Sequence, residues 1–215
     1  MTALPGPSTP FAPQPGRPQM RRLTDMDHEQ IIAYNLRGGG EEFTVFEHAQ
    51  ADRVLKARAI IEHIIETDGA IERIVEPGCS TGDIVGFFQD RVEAVGIDVT
   101  PGAARAAAKR WPKMEVIEDR VENVEPMACD ILVMTEFLEH IIEPKTFIKK
   151  WAPLARYIVI GHPLVGDGFD PEVGHPWAYY DVDFANWFVE AGHEMVEAWT
   201  FPMGYHMVIG WGKRA

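Results

Sequence analysis

From Ala70 onward the sequence alternates short apolar strands with helical stretches, a rhythm that restricts the fold to a parallel sheet joined by crossover helices. The strands read "ERIVEP" at 72–77, "EAVGIDV" at 93–99, "MEVIED" at 114–119, "DILVMTE" at 130–136 and "RYIVIGH" at 156–162. Between them the pattern predicts helices beginning near Asp83, at Pro101, within 121–125 and at Pro144. Pro101 and Pro144 suit a first helical turn, where the missing N–H would have had no partner. Then the rhythm breaks. "DVDFANWFVEAGHE" is an amphipathic helix: Asp181 caps it, Phe184, Trp187, Phe188 and Ala191 share one face, and Gly192 stops it. After it, "EMVEAWTF" and "YHMVIGWGK" are separated only by "PMG", too short for a crossover but suited to an antiparallel hairpin. The expected architecture is α/β: an open twisted sheet, mostly parallel, closed by a C-terminal antiparallel hairpin and covered by helices on both faces.

Three regions follow from this reading: a tail over 1–23, a helical N-terminal cap over 24–69, and the main domain over 70–215. Six prolines within the first eighteen residues deny the tail a persistent helix or sheet. "TDMDHEQIIAYNLRGGGEEF" reads as a short helix capped by Thr24 or Asp25 and ended by Gly38–Gly40, a mobile joint. Val54, Ala57, Ile61 and Ile65 then form one apolar stripe, which predicts a helix from about 47 to 67.

With 215 residues, 46% of them hydrophobic, the chain can build one full-sized core. Its net charge is −13, and the first 24 residues hold three arginines and no acid, so the rest is more negative still. That field repels polyphosphate and argues against DNA or long RNA as a partner. Two cysteines, Cys79 and Cys129, are too few for a disulfide framework and suit a reducing compartment. No apolar run approaches a membrane span. The expected location is the cytoplasm; the sequence leaves the oligomeric state open.

In open α/β sheets, ligands bind beyond the carboxyl ends of the strands. Those ends read Glu76, Asp98, Asp119 and Thr135-Glu136. "EPGCSTGD" after the first strand is a close-approach turn built on Gly78 and Gly82. A glycine turn opening a helix usually draws phosphate, yet Glu76 at its mouth would repel one. The dinucleotide pattern Gly-x-Gly-x-x-Gly also fails, since Ser80 and Asp83 stand at its second and third glycines. A ribose that needs an acceptor, carried by a cationic or zwitterionic ligand, suits these residues, and S-adenosylmethionine has those properties.

Residues 70–215 resemble the class I S-adenosylmethionine-dependent methyltransferases, whose Rossmann-like sheet also ends in an antiparallel hairpin. Their first motif, Glu/Asp-x-Gly-x-Gly-x-Gly, stands here as Glu76-Pro77-Gly78-Cys79-Ser80-Thr81-Gly82, with Ser80 at the middle glycine. The resemblance implies that Glu76, Gly78, Cys79, Ser80 and Gly82 lie against the methionine part of the cofactor. It implies that Asp98, with Val99 beside it, takes the ribose hydroxyls, and that Asp119 meets the adenine amino group with the Arg120 backbone beside the ring. "CDILVMTEFLEHI" resembles the fourth motif, where Thr135 and Glu136 pass the reacting methyl group.

Methyl transfer from a sulfonium is an in-line displacement, so a base is needed only when the nucleophile holds a proton. His140 and His175 are the expected catalytic residues. His162, Trp177, Tyr179 and Tyr180 are expected on the acceptor wall, in the long stretch from about 162 to 180, with residues 25–46 as a lid. Glu136, Glu139 and His140 form Glu-x-x-Glu-His, which resembles ubiquinone-pathway O-methyltransferases and small-RNA 2′-O-methyltransferases that hold a divalent ion there, with His175 as a further counterpart. Such an ion would lower the pKa of acceptor hydroxyls. The same "LEH" also occurs in family members without a metal. The expected function is methylation at oxygen or nitrogen of a small-molecule acceptor. The alternatives are an RNA or modified-nucleotide methyltransferase, and a non-catalytic protein that binds the cofactor.

Overall fold

A computed structural model describes residues 21–22, 27, 29–30, 33, 52–164, 177–178, 181–202 and 206–214. The first long helix, α1 (Asp52–Asp68), buries Val54, Ala57, Ile60, Ile61 and Ile64. It ends where Gly69 turns left-handed at φ 69° and donates its N–H to the Ile65 carbonyl, 3.1 Å away. Positions 47–51 of the expected helix lie outside the described residues, as do the tail apart from Arg21–Arg22, the Gly38–Gly40 joint, and His175, Tyr179 and Tyr180.

The strands are β1 (Arg73–Pro77), β2 (Glu93–Asp98), β3 (Glu115–Glu118), β4 (Cys129–Thr135), β5 (Ala155–Leu164), β6 (His193–Pro202) and β7 (His206–Arg214). They form one seven-stranded sheet in the order β3-β2-β1-β4-β5-β7-β6. The first five run parallel, and β7 enters antiparallel beside β5, pairing Tyr157 with Lys213 and Leu164 with His206. β6 completes the hairpin on the outer edge. The expected sheet and its closing hairpin are both present. Succession runs outward from β1 to β3, then restarts on the other side at β4, which places a switch point between β1 and β4.

Helix α2 spans Pro101–Arg110, α3 spans Pro144–Trp151 and α4 spans Asp181–Ala191. Side chains alternate along each strand and feed two cores. On one face Val75, Leu132, Met134 and Ile158 meet Phe147 and Trp151 of α3 and Phe184, Trp187 and Phe188 of α4. On the other, Ile74, Ile131, Val133 and Val159 meet the stripe of α1. Gly192, at φ 70°, ends α4 as expected.

Two of the expected crossover helices are not α-helices. The one near Asp83 is a run of turns followed by a 3₁₀ helix, Val85–Phe88, and the one within 121–125 is the 3₁₀ turn Val121–Asn123. Gly86 explains the first. Its backbone lies flat under Trp111, where a Cβ would come 2.4 Å from Cγ of that ring, so the segment is fixed by close contact rather than by helical propensity. Pro126 explains the second, because it biases Glu125 away from the helical region. Thr24 and Asp25, the expected caps of the N-terminal helix, lie outside the described residues. Among the described residues, Gln30 donates its N–H to Asp27 Oδ1 at 2.9 Å, and Asp27 donates its N–H to Gln30 Oε1 at 3.0 Å. That reciprocal pair is a capping box, and residues 29, 30 and 33 are helical beyond it.

Candidate functional site

The strand ends on either side of the switch point assemble the site. At the end of β1 the chain folds down onto β2, with the N–H groups of Gly78 and Cys79 both donating to the Ile97 carbonyl, at 2.7 and 3.1 Å. Gly78 and Gly82 are both left-handed at φ 72°. A Cβ on Gly78 would come 2.7 Å from Phe137 Cδ2, so only glycine lets the loop close under that ring. Ser80, at the middle position, adopts φ 47° without being a glycine. Its N–H donates to Asp98 Oδ2 at 2.7 Å, while the Thr100 N–H donates to Asp98 Oδ1 at 2.8 Å. Each oxygen of Asp98 is thus held by one backbone donor, and the Thr100 side chain bonds the carboxylate as well. Burial raises the Asp98 pKa against the pull of these donors.

Glu76 lies beneath the loop, 3% exposed, and accepts the Val85 N–H on Oε2 at 3.2 Å. Burial pushes its pKa up to about 8, the carboxylates of Asp83 and Asp98 push the same way, and the Val85 N–H and Arg58 oppose. Asp83 is tied on every side. Thr81 donates its hydroxyl to Oδ2 at 2.6 Å, Arg110 from the end of α2 reaches Oδ1 at 2.6 Å, and Arg58 of α1 donates Nε to the Asp83 carbonyl at 2.7 Å. Both arginines beside the loop are therefore engaged with protein acceptors. Glu76, expected at the mouth of the loop, is instead buried beneath it, and Asp98 is the partly exposed carboxylate beside the turn. Cys79 is buried and free, as is Cys129.

Asp119, beyond β3, is exposed. Its Oδ1 accepts from Asn123 Nδ2 at 2.8 Å and from the Arg120 N–H at 2.7 Å, and these bonds hold its carboxyl below the usual range. Arg120 in turn grips both carboxylate oxygens of Glu29, with Nη2 2.7 Å from Oε2.

Beyond β4, Thr135 is buried, and Glu136 departs from the strand at φ 52° while donating its N–H to the Gly161 carbonyl at 2.8 Å. Left-handed backbone at a non-glycine is strained and is held there by its surroundings. Arg53, near the start of α1, brings Nε to 3.9 Å from Glu136 Oε2. The 3₁₀ turn Leu138–His140 follows; Glu139 is 1% exposed, and burial with the nearby Glu136 carboxylate raises its pKa well above the usual range. His140 is half-buried on the same turn. Glu136 and Glu139 are thus neighbours, but among the described residues no three His, Cys, Asp or Glu side chains gather to hold a metal ion. His162 is wholly buried in β5 with its ring 5.6 Å from that of Phe184, and burial lowers its pKa to about 4. Trp177 is described through its backbone: Trp177–Ala178 pairs antiparallel with Arg21–Arg22 and lies against the Leu138–His140 turn.

The sequence reading missed Phe137, Arg53, Arg58, Trp111 and Glu29. Their partners lie far along the chain, and no local pattern marks them. The one available signal is the placement of Arg53 and Arg58 off the apolar stripe of α1.

Residues 75–156 match the family model described as a methyltransferase domain. No characterised protein matches the sequence itself. Among solved structures, the chain is similar to the 1,6-didemethyltoxoflavin-N1-methyltransferase of Burkholderia thailandensis, solved with 1,6-didemethyltoxoflavin and S-adenosylhomocysteine, at a TM-score of 0.71 and 14% identity over 91% of this chain and 95% of that one. It is also similar to the magnesium protoporphyrin IX methyltransferase of Synechocystis PCC 6803 with bound S-adenosylhomocysteine, at a TM-score of 0.64 and 14% identity over 86% of this chain and 93% of that one. The two comparisons agree: residues 75–156 are similar to a methyltransferase domain, and the chain shares the fold of solved methyltransferases.

Proposed function

We propose that this protein transfers a methyl group from S-adenosylmethionine to an oxygen or nitrogen of a small-molecule acceptor. The observation that carries the reading is Asp98, a partly exposed carboxylate oriented by the N–H groups of Ser80 and Thr100 beside the glycine turn. In this reading Asp98, with Val99, holds the ribose. Glu76, Gly78, Cys79, Ser80 and Gly82 border the methionine part, and Asp119 with the Arg120 backbone meets the adenine. Thr135 and Glu136 line the path of the methyl group. The cofactor supplies a methyl on a sulfonium, an electrophile that an aligned nucleophile can attack in line. The protein aligns the acceptor and excludes water. His140, on the turn after β4, takes the proton from a protic acceptor, and His175 is a second candidate for that role. His162, Trp177, Tyr179 and Tyr180 form the acceptor side, with His162 acting from beneath it through packing.

Two further facts support a small acceptor. The Burkholderia neighbour is solved with a small molecule that it methylates at nitrogen, and the net charge of −13 opposes nucleic acid. The test incubates the protein with methyl-labelled cofactor and a metabolite extract. The reading predicts label in one or a few small molecules that gain the mass of a methylene, and reduced transfer by His140→Ala. Label confined to RNA, or none transferred to any acceptor, contradicts it.

A further inference from the structure

Ser80 holds a left-handed φ of 47° in the turn after β1, between Gly78 and Gly82, which hold 72° without steric penalty. A residue with a side chain keeps such a backbone only where its surroundings forbid relaxation. On one side the Ser80 N–H donates to Asp98 Oδ2 at 2.7 Å. On the other, the Thr81 carbonyl accepts the indole N–H of Trp111 at 3.1 Å. Turning Ser80 back to a negative φ would swing the Thr81 peptide and break that bond.

Trp111 stands just past α2, and its ring is seated against the same loop. A Cβ on Gly82 would come 2.9 Å from its Cδ1. Its backbone is fixed as well: the Trp111 N–H donates to the Ala107 carbonyl at 2.8 Å, and its carbonyl accepts the Met114 N–H at 3.0 Å. The neighbouring Arg110 reaches Asp83 Oδ1 at 2.6 Å and lies 4.9 Å from the centre of the indole ring. The bond to Thr81 is thus made by a rigid group, on the peptide next to the strained residue.

We propose that Trp111 is a positioning residue for the cofactor: its indole N–H, on the Thr81 carbonyl, holds the serine-containing turn in the shape that presents the Ser80 N–H to Asp98. The inference rests on the reading of this turn and Asp98 as the S-adenosylmethionine site. Without the indole bond the free turn relaxes, and Asp98 loses one of the donors that orient it. A ligand then binds only the fraction of molecules that still hold the turn, and its apparent affinity falls by that fraction. With glycine at position 80 the left-handed backbone needs no holding, so the indole bond becomes dispensable to binding. A bond that served general stability alone would weigh the same whichever residue stood at position 80.

Calorimetric titration of the full chain with S-adenosylhomocysteine tests this in the wild type, Trp111→Phe, Ser80→Gly and the double variant. Trp111→Phe keeps an aromatic ring and removes the N–H, and its affinity should fall about 3- to 10-fold, the effect of one lost hydrogen bond. In the Ser80→Gly background the same substitution should change affinity by less than about twofold, because the two residues act on one turn. Equal affinity of the wild type and Trp111→Phe overturns the positioning role, and so does a loss of the same size in both backgrounds. Should Trp111→Phe fail to fold, benzothienylalanine at position 111, which keeps the fused ring and lacks only the N–H, carries the same two predictions. Failure of the wild type to bind millimolar S-adenosylhomocysteine overturns the reading of the site and the positioning role with it.

Discussion

Glu76 concentrates the electrostatic problem of the site into one side chain. It is 3% exposed, and its pKa is raised from the ordinary 4.5 to about 8, chiefly by burial. The folded protein therefore keeps a proton that the unfolded chain sheds near pH 4.5. A group that binds protons more tightly when folded contributes stability below its unfolded pKa and loses it as pH rises through the folded one. Glu76→Gln keeps the shape and removes the titration. Thermal melts should show the variant gaining on the wild type between about pH 5 and pH 8, and the gap should level off above that window. A gap that is constant across this range, or that shrinks as pH rises, contradicts the assignment. The same burial explains why a cationic ligand suits the crevice, since a positive charge close to Glu76 would favour its ionised form.

The closing hairpin shows what one element demands of another. Gly210 and Gly212 of β7 lie under Phe184 and Phe188 of α4, and a Cβ on Gly212 would come 2.6 Å from Phe188 Cδ1 and 2.7 Å from the Glu194 carbonyl. The ring could shift, but the carbonyl belongs to the neighbouring strand and cannot. Gly212→Ala should cost about 1–3 kcal/mol, the usual range for overpacking, read as a lower midpoint in denaturant at unchanged slope. An unchanged midpoint would mean that the hairpin and α4 are not packed this closely. Such contacts mark the limit of what the sequence conveys. The strands, the hairpin, α4 and its stop at Gly192 were legible because periodicity, proline and glycine act over a few residues. The 3₁₀ segment Val85–Phe88 was not, because Trp111 dictates it from 25 or so positions away. Within the site, Glu76, the glycine turn, Asp98 and Asp119 were legible as strand ends. Arg58 on Asp83, Phe137 over Gly78 and Glu29 on Arg120 were not, since each joins elements that only the fold brings together.

Across the chain, one arrangement accounts for both stability and function. The amino ends of the strands are tied by Arg156, which bonds Asp68, Asp130 and the Ala70 carbonyl, while Asp130 accepts the N–H groups of Glu72 and Arg73. The carboxyl ends carry the strained and buried groups: Ser80 and Glu136 at positive φ, and Glu76 and Glu139 as buried acids. Strain and burial of this kind persist where they serve a site, and the packed opposite edge helps to sustain them. The central claim is that this edge holds S-adenosylmethionine by its ribose and its positive charge. Calorimetric titration with S-adenosylhomocysteine, in wild type and in Asp98→Ala, tests that claim. The account predicts one site per chain and an affinity about 10- to 100-fold weaker in the variant, from the loss of hydrogen bonds to a charged group. No binding by the wild type, or equal affinity in both proteins, would contradict it.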